Sequence, residues 1–416
     1  MGSAGIGGAG SGPVRVALLG SGGSIGTQAV DVLASLAPDW QVVALATGQQ
    51  AALLEDQARL LHPRAVALSG DGGDSTMLDL PAGTARVGGT NALVELATRD
   101  DVDLVVVGTG GMVSLRPVLA ALRAGKVVAT ANKETLVAGG HLVMAEADAQ
   151  AARRAAADPR DPRARPLGWL RPIDSEHSAI WQCLAGEGMA GVAALVLTAS
   201  GGPFLDTPAS EFAAITPGRA LRHPTWTMGA KITIDSATLA NKGLEIIEAH
   251  WLYDMPYERI EVVIHPQSVV HSGVRFIDGS LKAQLGTPDM RLPIQYAITY
   301  PERRPSSAPP PDLIGAGRLD FRAPDEGRFP ALRIAREAGE RGSRATAALI
   351  AADEVAVARF LAGTLDFPGI PRLLVDAVTR FGEGPDQTPG YDDLVSLDRE
   401  VRSAFAGPAS RPAAEA

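Results

Sequence analysis

The chain has 416 residues, 46% of them hydrophobic and 20% charged, a composition typical of a globular enzyme with two or three domains. Its net charge of −9 without a long basic stripe argues against nucleic acid as a partner, and no run of about 20 apolar residues predicts a membrane span. A single cysteine, Cys183, excludes an internal disulfide, so we expect a buried structural thiol and a reducing, cytoplasmic location.

The N-terminal region alternates short apolar runs with helical patterns. Residues 1–13 are glycine-rich, and we expect them to form a disordered tail. Predicted strands cover residues 14–19, 40–46, 65–68, 102–107 and 126–129, and predicted helices cover residues 27–36, 51–61, 91–98 and 117–124. This alternation predicts an α/β domain over residues 14–155, built on a doubly wound parallel sheet of the Rossmann-like kind.

A glycine-rich turn joins the first predicted strand to the first predicted helix. Gly20, Gly23 and Gly26 give the spacing G-x-x-G-x-x-G, which lets the backbone approach a dinucleotide diphosphate at a helix N-terminus. The end of the second strand normally decides between NAD and NADP. Residues 44–50 contain no acid to hold a ribose hydroxyl pair, and this absence favours NADP.

The remaining chain differs in composition. Residues 151–167 are predicted to be a helix end followed by an exposed loop, and residues 156–300 to form an α+β catalytic and dimerisation domain. Its predicted strands cover residues 194–197, 260–264 and 272–276. We expect a proline-rich linker over 301–325, a helical bundle over 326–405 and a loose tail over 406–416. Asp353 and Glu354 of the bundle are expected to make surface or capping contacts.

Three acids stand in two short polar segments. Asp174 and Glu176 are two residues apart and would share a face in extended chain. Glu245 comes from a stretch with helical character, and Lys242 precedes it by three residues, on the same helix face. Three carboxylates suggest a hard cation such as Mg²⁺ or Mn²⁺.

Six segments in a fixed order carry a family resemblance. They are residues 131–137, 172–180, 199–204, 223–229, 231–245 and 265–272. In this order and spacing the chain closely resembles 1-deoxy-D-xylulose 5-phosphate reductoisomerase, over about residues 14–405. The resemblance implies an NADPH- and divalent-metal-dependent enzyme that rearranges 1-deoxy-D-xylulose 5-phosphate and reduces the intermediate aldehyde to 2-C-methyl-D-erythritol 4-phosphate, in isoprenoid precursor synthesis. It also implies a homodimer.

The resemblance also implies roles for individual residues. Asp174, Glu176 and Glu245 match the metal ligands (Mg²⁺ or Mn²⁺, with Co²⁺ as another candidate), and these acids together with Lys133 are the implied catalytic residues. The implied substrate contacts are Lys133, Ser175, Glu176, Ser200, His223, Ser236, Asn241, Lys242 and Glu245. The implied cofactor contacts are Gly20, Ser21, Gly22, Gly23, Ser24, Ile25, Gly48, Gln49, Gln50, Asn132, Glu134 and Gly229. Residues 220–230, with Trp226, resemble a mobile flap over the active site.

The chain departs from the family pattern at three places. Gly22 stands where the family often has Thr, and Gln49 and Gln50 stand where it often has a basic residue or Asn. Both departures bear on the contact with the cofactor. Residues 155–168 are longer than the family pattern and are predicted to be a surface insertion.

Two other functions deserve comparison. An NADP-dependent sugar-phosphate or amino-acid-semialdehyde dehydrogenase would need a catalytic Cys or His, and a lone Cys183 argues against it. A nucleotide-sensing binding protein would show no metal-dependent turnover. The density of polar residues at 174–178 and 241–245 argues against that alternative.

Overall fold

The computed structural model describes residues 12–70, 78–384 and 388–407. The expected tails at 1–13 and 406–416 lie almost wholly outside these residues.

The N-terminal half is built on a parallel sheet. Within the described residues its strand order is β4-β3-β2-β1-β5-β6-β7, and every pairing is parallel. The strands are β1 (Val14–Leu19), β2 (Trp40–Thr47), β3 (Ala65–Leu68), β4 (Ala85–Val87), β5 (Leu104–Val107), β6 (Val127–Thr130) and β7 (Leu170–Pro172). Runs of Val, Leu and Ala in the central strands are buried on both faces, as a doubly wound sheet requires. The predicted Rossmann-like sheet is confirmed.

Helices connect these strands. They are α1 (Ser24–Ser35), α2 (Ala51–Leu61), α3 (Ala92–Thr98), α4 (Leu115–Arg123) and α5 (Lys133–Ala157). The strand order reverses direction between β1 and β5, and a crevice at such a switch point is the usual place for a nucleotide.

The segment after α5 differs from its prediction as an exposed loop. Asp161 is buried, and its carboxylate pairs with both Arg154 and Arg163. The indole of Trp169 also donates a 2.8 Å hydrogen bond to the carbonyl of Arg163. The segment is therefore held by a buried carboxylate between two arginines, an arrangement that residue composition alone does not reveal.

The central region is a mixed four-stranded sheet with the order β11-β10-β8-β9. Its strands are β8 (Val192–Ala199), β9 (Ile260–Ile264), β10 (Val270–Phe276) and β11 (Leu281–Leu285). Its helices are α6 (Ser175–Cys183), α7 (Pro217–Ala220), α8 (Ala230–Thr238), α9 (Ala240–Tyr253) and α10 (Arg291–Thr299). Helices α6 and α9 contact this sheet, and both carry predicted site residues at their N-terminal ends.

The C-terminal region is helical, as predicted. After α11 (Leu313–Ala316) the chain forms α12 (Ala331–Arg341), α13 (Ser343–Leu361), α14 (Gly369–Phe381) and α15 (Tyr391–Phe405). Helix α13 packs on α12, α14 and α15 and also on α5. One expectation here is wrong: Asp353 is buried rather than at the surface, because it meets Lys231 at 2.6 Å.

No helix within residues 12–70, 78–384 and 388–407 combines the length and apolarity needed to cross a bilayer.

Candidate active site

One cleft gathers the predicted site residues. It has a cavity volume of about 150 Å³ and lies between the parallel sheet, the mixed sheet and helices α8 and α9. Every predicted metal, catalytic and substrate residue lines it: Lys133, Asp174, Ser175, Glu176, Ser200, His223, Ser236, Asn241, Lys242 and Glu245. Ser24 and Ile25, at the start of α1, line the same cleft. The cleft therefore reaches from the first βα turn to α9.

Asp174 and Glu176 lie at a helix N-terminus rather than in extended chain, so the expected shared strand face is wrong. Asp174 caps α6: its Oδ1 accepts hydrogen bonds from the amides of Glu176, at 3.1 Å, and His177, at 3.4 Å. Glu176 then lies in the first turn. The two carboxylates still converge with Glu245, and one oxygen from each of the three lies within 4.8 Å of the others.

Helix α9 presents three predicted residues to the cleft. Asn241 Nδ2 donates a 2.6 Å hydrogen bond to Glu245 Oε1, one turn along the helix. The amine of Lys242 contacts Glu245 and lies 3.0 Å from Glu176 Oε1. From α5, the Lys133 amine donates to Asp174 Oδ2 at 2.9 Å and to Asn241 Oδ1 at 2.7 Å.

The carboxylate cluster is electrostatically unbalanced. Burial, together with the negative charges of Glu176 and Asp174, raises the pKa of Glu245 to about 8. Burial alone would also raise the pKa of Asp174, but the positive charges around it, first that of Lys133, hold that pKa well below its usual range. The Lys133 pKa is raised because its acidic neighbours outweigh its burial. An all-oxygen donor set with surplus negative charge fits a hard divalent cation.

Two polar residues behind the cluster had no predicted role. Glu248 Oε2 lies 3.3 Å from His177 Nε2 and 3.9 Å from the Lys133 amine, and both Glu248 and His177 are buried. Each is three residues beyond a predicted ligand, His177 after Asp174 and Glu248 after Glu245. Helical spacing was the signal that could have identified them.

Two serines and a histidine meet at the other end of the cleft. His223 Nε2 lies 3.0 Å from Ser200 Oγ and 3.1 Å from Ser236 Oγ. Its Nδ1 accepts hydrogen bonds from the amides of Thr225, at 3.1 Å, and Trp226, at 2.9 Å. Because Nδ1 accepts, the ring hydrogen of neutral His223 lies on Nε2, and burial lowers the pKa of this histidine. His223 is thus a neutral donor aimed at the two hydroxyls.

The predicted flap lies over this end. The Trp226 ring centre is 6.0 Å from that of His271, and the Thr225 hydroxyl donates to the carbonyl of Pro266 at 3.4 Å. His271 and Met290 also line the cleft, although neither had a predicted role. Met290 lies just before α10, outside the six segments that carry the family resemblance.

The glycine turn has the geometry of a phosphate cradle. Gly20 has φ +85°, and a Cβ there would lie 2.5 Å from the amide nitrogen of Thr109. A Cβ on Gly26 would lie 2.0 Å from the carbonyl oxygen of Gly20. Helix α1 starts after Gly23, which has no side chain to cap the first-turn amides. Ser21 Oγ is buried and has no hydrogen-bond partner within the described residues. These features fit a dinucleotide diphosphate.

The side chain of Gln50, three residues beyond β2, lies against Gly22. A Cβ on Gly22 would lie 1.8 Å from Gln50 Oε1 and 2.4 Å from Thr47 Oγ1. The Gln50 side chain therefore occupies the space that a larger residue at position 22 would need. Nearby, the carbonyl of Gly48 accepts a 3.1 Å hydrogen bond from the amide of Gly70. The side chain of Gln49 lies beside Gly70.

The remaining predicted cofactor residues are divided by the structure. Gly229 lines the cleft, but Asn132 and Glu134 lie behind it. Asn132 caps α5 by accepting from the amide of Thr135, and its Nδ2 donates to the carbonyl of Thr109 at 2.7 Å. Asn132 therefore ties the loop after β5 to the start of α5.

Together, a Rossmann-like sheet with an open glycine cradle and a shared cleft with a carboxylate triad define a nucleotide- and metal-dependent enzyme. Family models agree over most of the chain. The model of 1-deoxy-D-xylulose 5-phosphate reductoisomerase matches residues 16–140, and two models of its C-terminal domains match residues 170–253 and 285–404.

Individual relatives agree as well. The 1-deoxy-D-xylulose 5-phosphate reductoisomerase of Pelotomaculum thermopropionicum is 47% identical over 94% of this chain and 97% of its own length. That of Thermomicrobium roseum is 46% identical over 93% of this chain and 96% of its own. The chain belongs to the 1-deoxy-D-xylulose 5-phosphate reductoisomerase family.

Solved structures carry the same likeness. The reductoisomerase of Zymomonas mobilis in complex with NADPH has a TM-score of 0.82 and 36% identity, covering 95% of this chain and 98% of that one. A DOX-P reductoisomerase in complex with NADPH, fosmidomycin and magnesium has a TM-score of 0.84 and 36% identity, covering 94% and 97%.

Proposed function

We propose that this protein converts 1-deoxy-D-xylulose 5-phosphate to 2-C-methyl-D-erythritol 4-phosphate, using NADPH and a divalent cation. The observation that carries the proposal is one cleft in which Asp174, Glu176 and Glu245 converge and which also reaches the open N-terminus of α1. The relatives and solved structures above bear the same name, and two of those structures contain NADPH.

Asp174, Glu176 and Glu245 would hold the cation, and the turn from Gly20 to Ile25 would hold the NADPH diphosphate. When bound, NADPH supplies the hydride, and the cation polarises the ketone and its neighbouring hydroxyl oxygen during the rearrangement. Magnesium is the cation in the solved complex, and Mn²⁺ and Co²⁺ remain candidates by ligand type.

Lys133 would bind the substrate hydroxyls beside the carboxylates. Its amine donates hydrogen bonds to Asp174 and Asn241, and these two acceptors fix the direction of the side chain. Ser175, whose hydroxyl donates to Glu176 at 2.5 Å, would contact the same part of the substrate. Precise placement of the reacting carbons is the main contribution that these groups can make.

Ser200, Ser236 and His223 would bind the substrate phosphate. Their three polar atoms converge, and neutral His223 offers a hydrogen on Nε2. Asn241 and Lys242 on α9, which contact the carboxylates and line the same cleft, would add an amide and a positive charge. The substrate would then span the cleft from phosphate to carboxylates.

The flap would exclude water. Trp226 and Met228 line the cleft, and Gly229 joins the flap to α8. Closing this apolar cover over the substrate would keep water from the reduction step.

A coupled assay tests the proposed function. NADPH absorbance is followed with 1-deoxy-D-xylulose 5-phosphate, with and without Mg²⁺ or Mn²⁺. We expect oxidation that requires both substrate and metal; no metal-dependent oxidation would reject the assignment.

We also propose a homodimer formed through the mixed sheet. Strand β11 is an edge strand among the described strands, and Leu281 on it and the neighbouring Ile277 are exposed. Light scattering during gel filtration should give twice the chain mass of 43.1 kDa. A monomer at micromolar concentration would contradict the proposal.

A cytoplasmic location is a further proposal, supported by the free, buried thiol of Cys183. Cell fractionation with an antibody against the chain would test it, and recovery in an extracytoplasmic fraction would reject it. The same thiol argues against the dehydrogenase alternative. Burial raises the Cys183 pKa to about 11, and the residue does not line the cleft.

A further inference from the structure

A buried ionic cluster lies directly behind the cleft. Lys231 Nζ is 2.8 Å from Asp235 Oδ2 and 2.6 Å from Asp353 Oδ2, and both carboxylates are only 1% exposed. Glu134 Oε1 approaches the same amine at 3.6 Å. One ammonium therefore faces three carboxylates that come from α5, α8 and α13.

The chain neighbours of this cluster are cleft residues. Asp235 precedes Ser236, and Glu134 follows Lys133. Lys231 itself lies in the first turn of α8, two residues after Gly229, where the flap ends. The cluster is thus one or two residues from three points on the cleft wall.

We propose that Lys231 and Asp353 are positioning residues that fasten α8 to the C-terminal helices, so that Ser236 and the end of the flap keep their places in the cleft. The inference rests on the proposed function, in particular on Ser236 binding the substrate phosphate. The ion-pair partner of Asp353 among the described residues is Lys231, so Asp353 would act on the cleft through Lys231 and α8.

The charge imbalance supports this role over a purely stabilising one. Burial and the charge of Asp353 raise the pKa of Asp235 to about 8, so the folded protein holds an acid under electrostatic stress. The other charges at this junction are Glu134 and Glu354, and Glu354 is paired with Arg402 from α15. A cluster selected for stability alone would match its charges, or be replaced by apolar packing.

The structure also shows how the position of α8 is transmitted. Ser236 Oγ contacts His223, whose ring is held by the amides of Thr225 and Trp226. A shift of α8 would therefore move one phosphate-binding hydroxyl and the flap histidine together. Lys133, held by Asp174 and Asn241, would stay in place.

The test compares Lys231→Met, Lys231→Arg and Asp353→Asn with wild type and with Ser236→Ala. Arg333→Met, which breaks an exposed ion pair with Glu337 one turn along α12, is the matched control. KM for 1-deoxy-D-xylulose 5-phosphate, KM for NADPH, kcat and Tm are measured for each purified enzyme with saturating Mg²⁺.

We expect Lys231→Met to raise the KM for the sugar phosphate by about tenfold, as loss of one well-placed hydrogen bond would, and Lys231→Arg to restore most of the loss. Asp353→Asn should raise the same KM by about three- to tenfold with an unchanged or higher Tm, because it removes a buried surplus charge. The KM for NADPH in these variants, and both KM values of the Arg333→Met enzyme, should stay within about twofold of wild type.

A normal KM for the sugar phosphate in Asp353→Asn and Lys231→Met, with a raised KM in Ser236→Ala, would overturn the positioning role alone. A Tm that falls in Asp353→Asn together with both KM values would also overturn it, since that is the pattern of simple destabilisation. Absence of wild-type turnover would overturn the proposed function and this inference together.

Discussion

Asn241 Nδ2 donates a 2.6 Å hydrogen bond to Glu245 Oε1, so one turn of α9 orients the buried carboxylate that completes the triad. The amide fixes one oxygen of Glu245, and Lys242 contacts the other. The carboxylate of Glu245 is thus oriented by its neighbours on α9. Substitution by glutamine removes its charge and keeps the shape of the side chain.

Glu245→Gln should abolish metal-dependent turnover, lowering kcat by at least about 100-fold, because a neutral amide is a poor ligand for a hard cation. NADPH binding, measured by fluorescence titration, should be retained, since the glycine turn lies on a different element. Glu261→Gln, on β9 of the mixed sheet, is the control, because the ion-pair partner of Glu261 among the described residues is the exposed Arg275. Turnover within tenfold of wild type would reject the ligand role.

Ser200→Ala and Ser236→Ala should each raise the KM for the sugar phosphate by about tenfold with a smaller change in kcat, since each removes one hydrogen bond to a non-reacting group. Steady-state kinetics at fixed Mg²⁺ and NADPH measure this split. Ser306→Ala, in an exposed loop, should match wild type. A fall in kcat with an unchanged KM would place these hydroxyls at the reacting carbons instead.

Gly22→Thr should weaken NADPH binding, because its Cβ would overlap the Gln50 amide. We expect the KM for NADPH to rise about tenfold. The double variant with Gln50→Ala should recover only part of that loss, because Thr47 Oγ1 still lies 2.4 Å from the added Cβ. The KM for the sugar phosphate serves as the internal control. If the increases in NADPH KM of Gly22→Thr and Gln50→Ala simply add in the double variant, Gln50 does not fill the space beside Gly22.

Asp161→Asn should lower stability by about 2 kcal/mol without altering kinetics, since it leaves Arg154 and Arg163 without their carboxylate. Burial alone raises the pKa of Asp161, but hydrogen bonds from Arg163 and Arg154 outweigh it and hold the pKa well below its usual range.

A carboxylate with a lowered folded pKa contributes stability above its unfolded pKa of about 3.9, and this contribution disappears as the pH falls through the folded value. Urea unfolding should therefore show a constant gap between wild type and Asp161→Asn at neutral pH that narrows below about pH 4. A gap that grows on acidification would contradict the pairing.

Sequence patterns predicted most of the parallel sheet because its strands are continuous apolar runs. β1 and β3 have their predicted bounds, and β2 is one residue longer. The two short edge strands, β4 and β7, were missed, since each has only three residues and one ends in Pro172. β11 was also missed, because Lys282 and Gln284 interrupt its apolar residues.

The candidate site was predictable where its chemistry lies in local motifs. The burial of Asp353 and Asp161 was not, because each depends on basic residues supplied by other elements or turns. His271 and Met290 show a second limit: only the folded chain brings them beside the flap. The folded arrangement of partners, local for Asp161 and long-range for Asp353, decided these cases rather than residue type.

Strands β6 and β7 are neighbours in one sheet, and the chain leaves them at Lys133 and Asp174 within three residues. Adjacent strands are held about 4.8 Å apart by their backbone hydrogen bonds. The hydrogen-bonded pairing of the two strands therefore sets the spacing between the lysine and the first carboxylate, and no domain movement is needed to bring them together. The parallel sheet therefore fixes the Lys133 and Asp174 side of the cleft, whereas Ser236 lies on α8 and His223 in the flap, outside that sheet. A cation bound at Asp174 should therefore meet a ligand that is already in place. A phosphate bound at Ser236 and His223 should complete its own site as it binds.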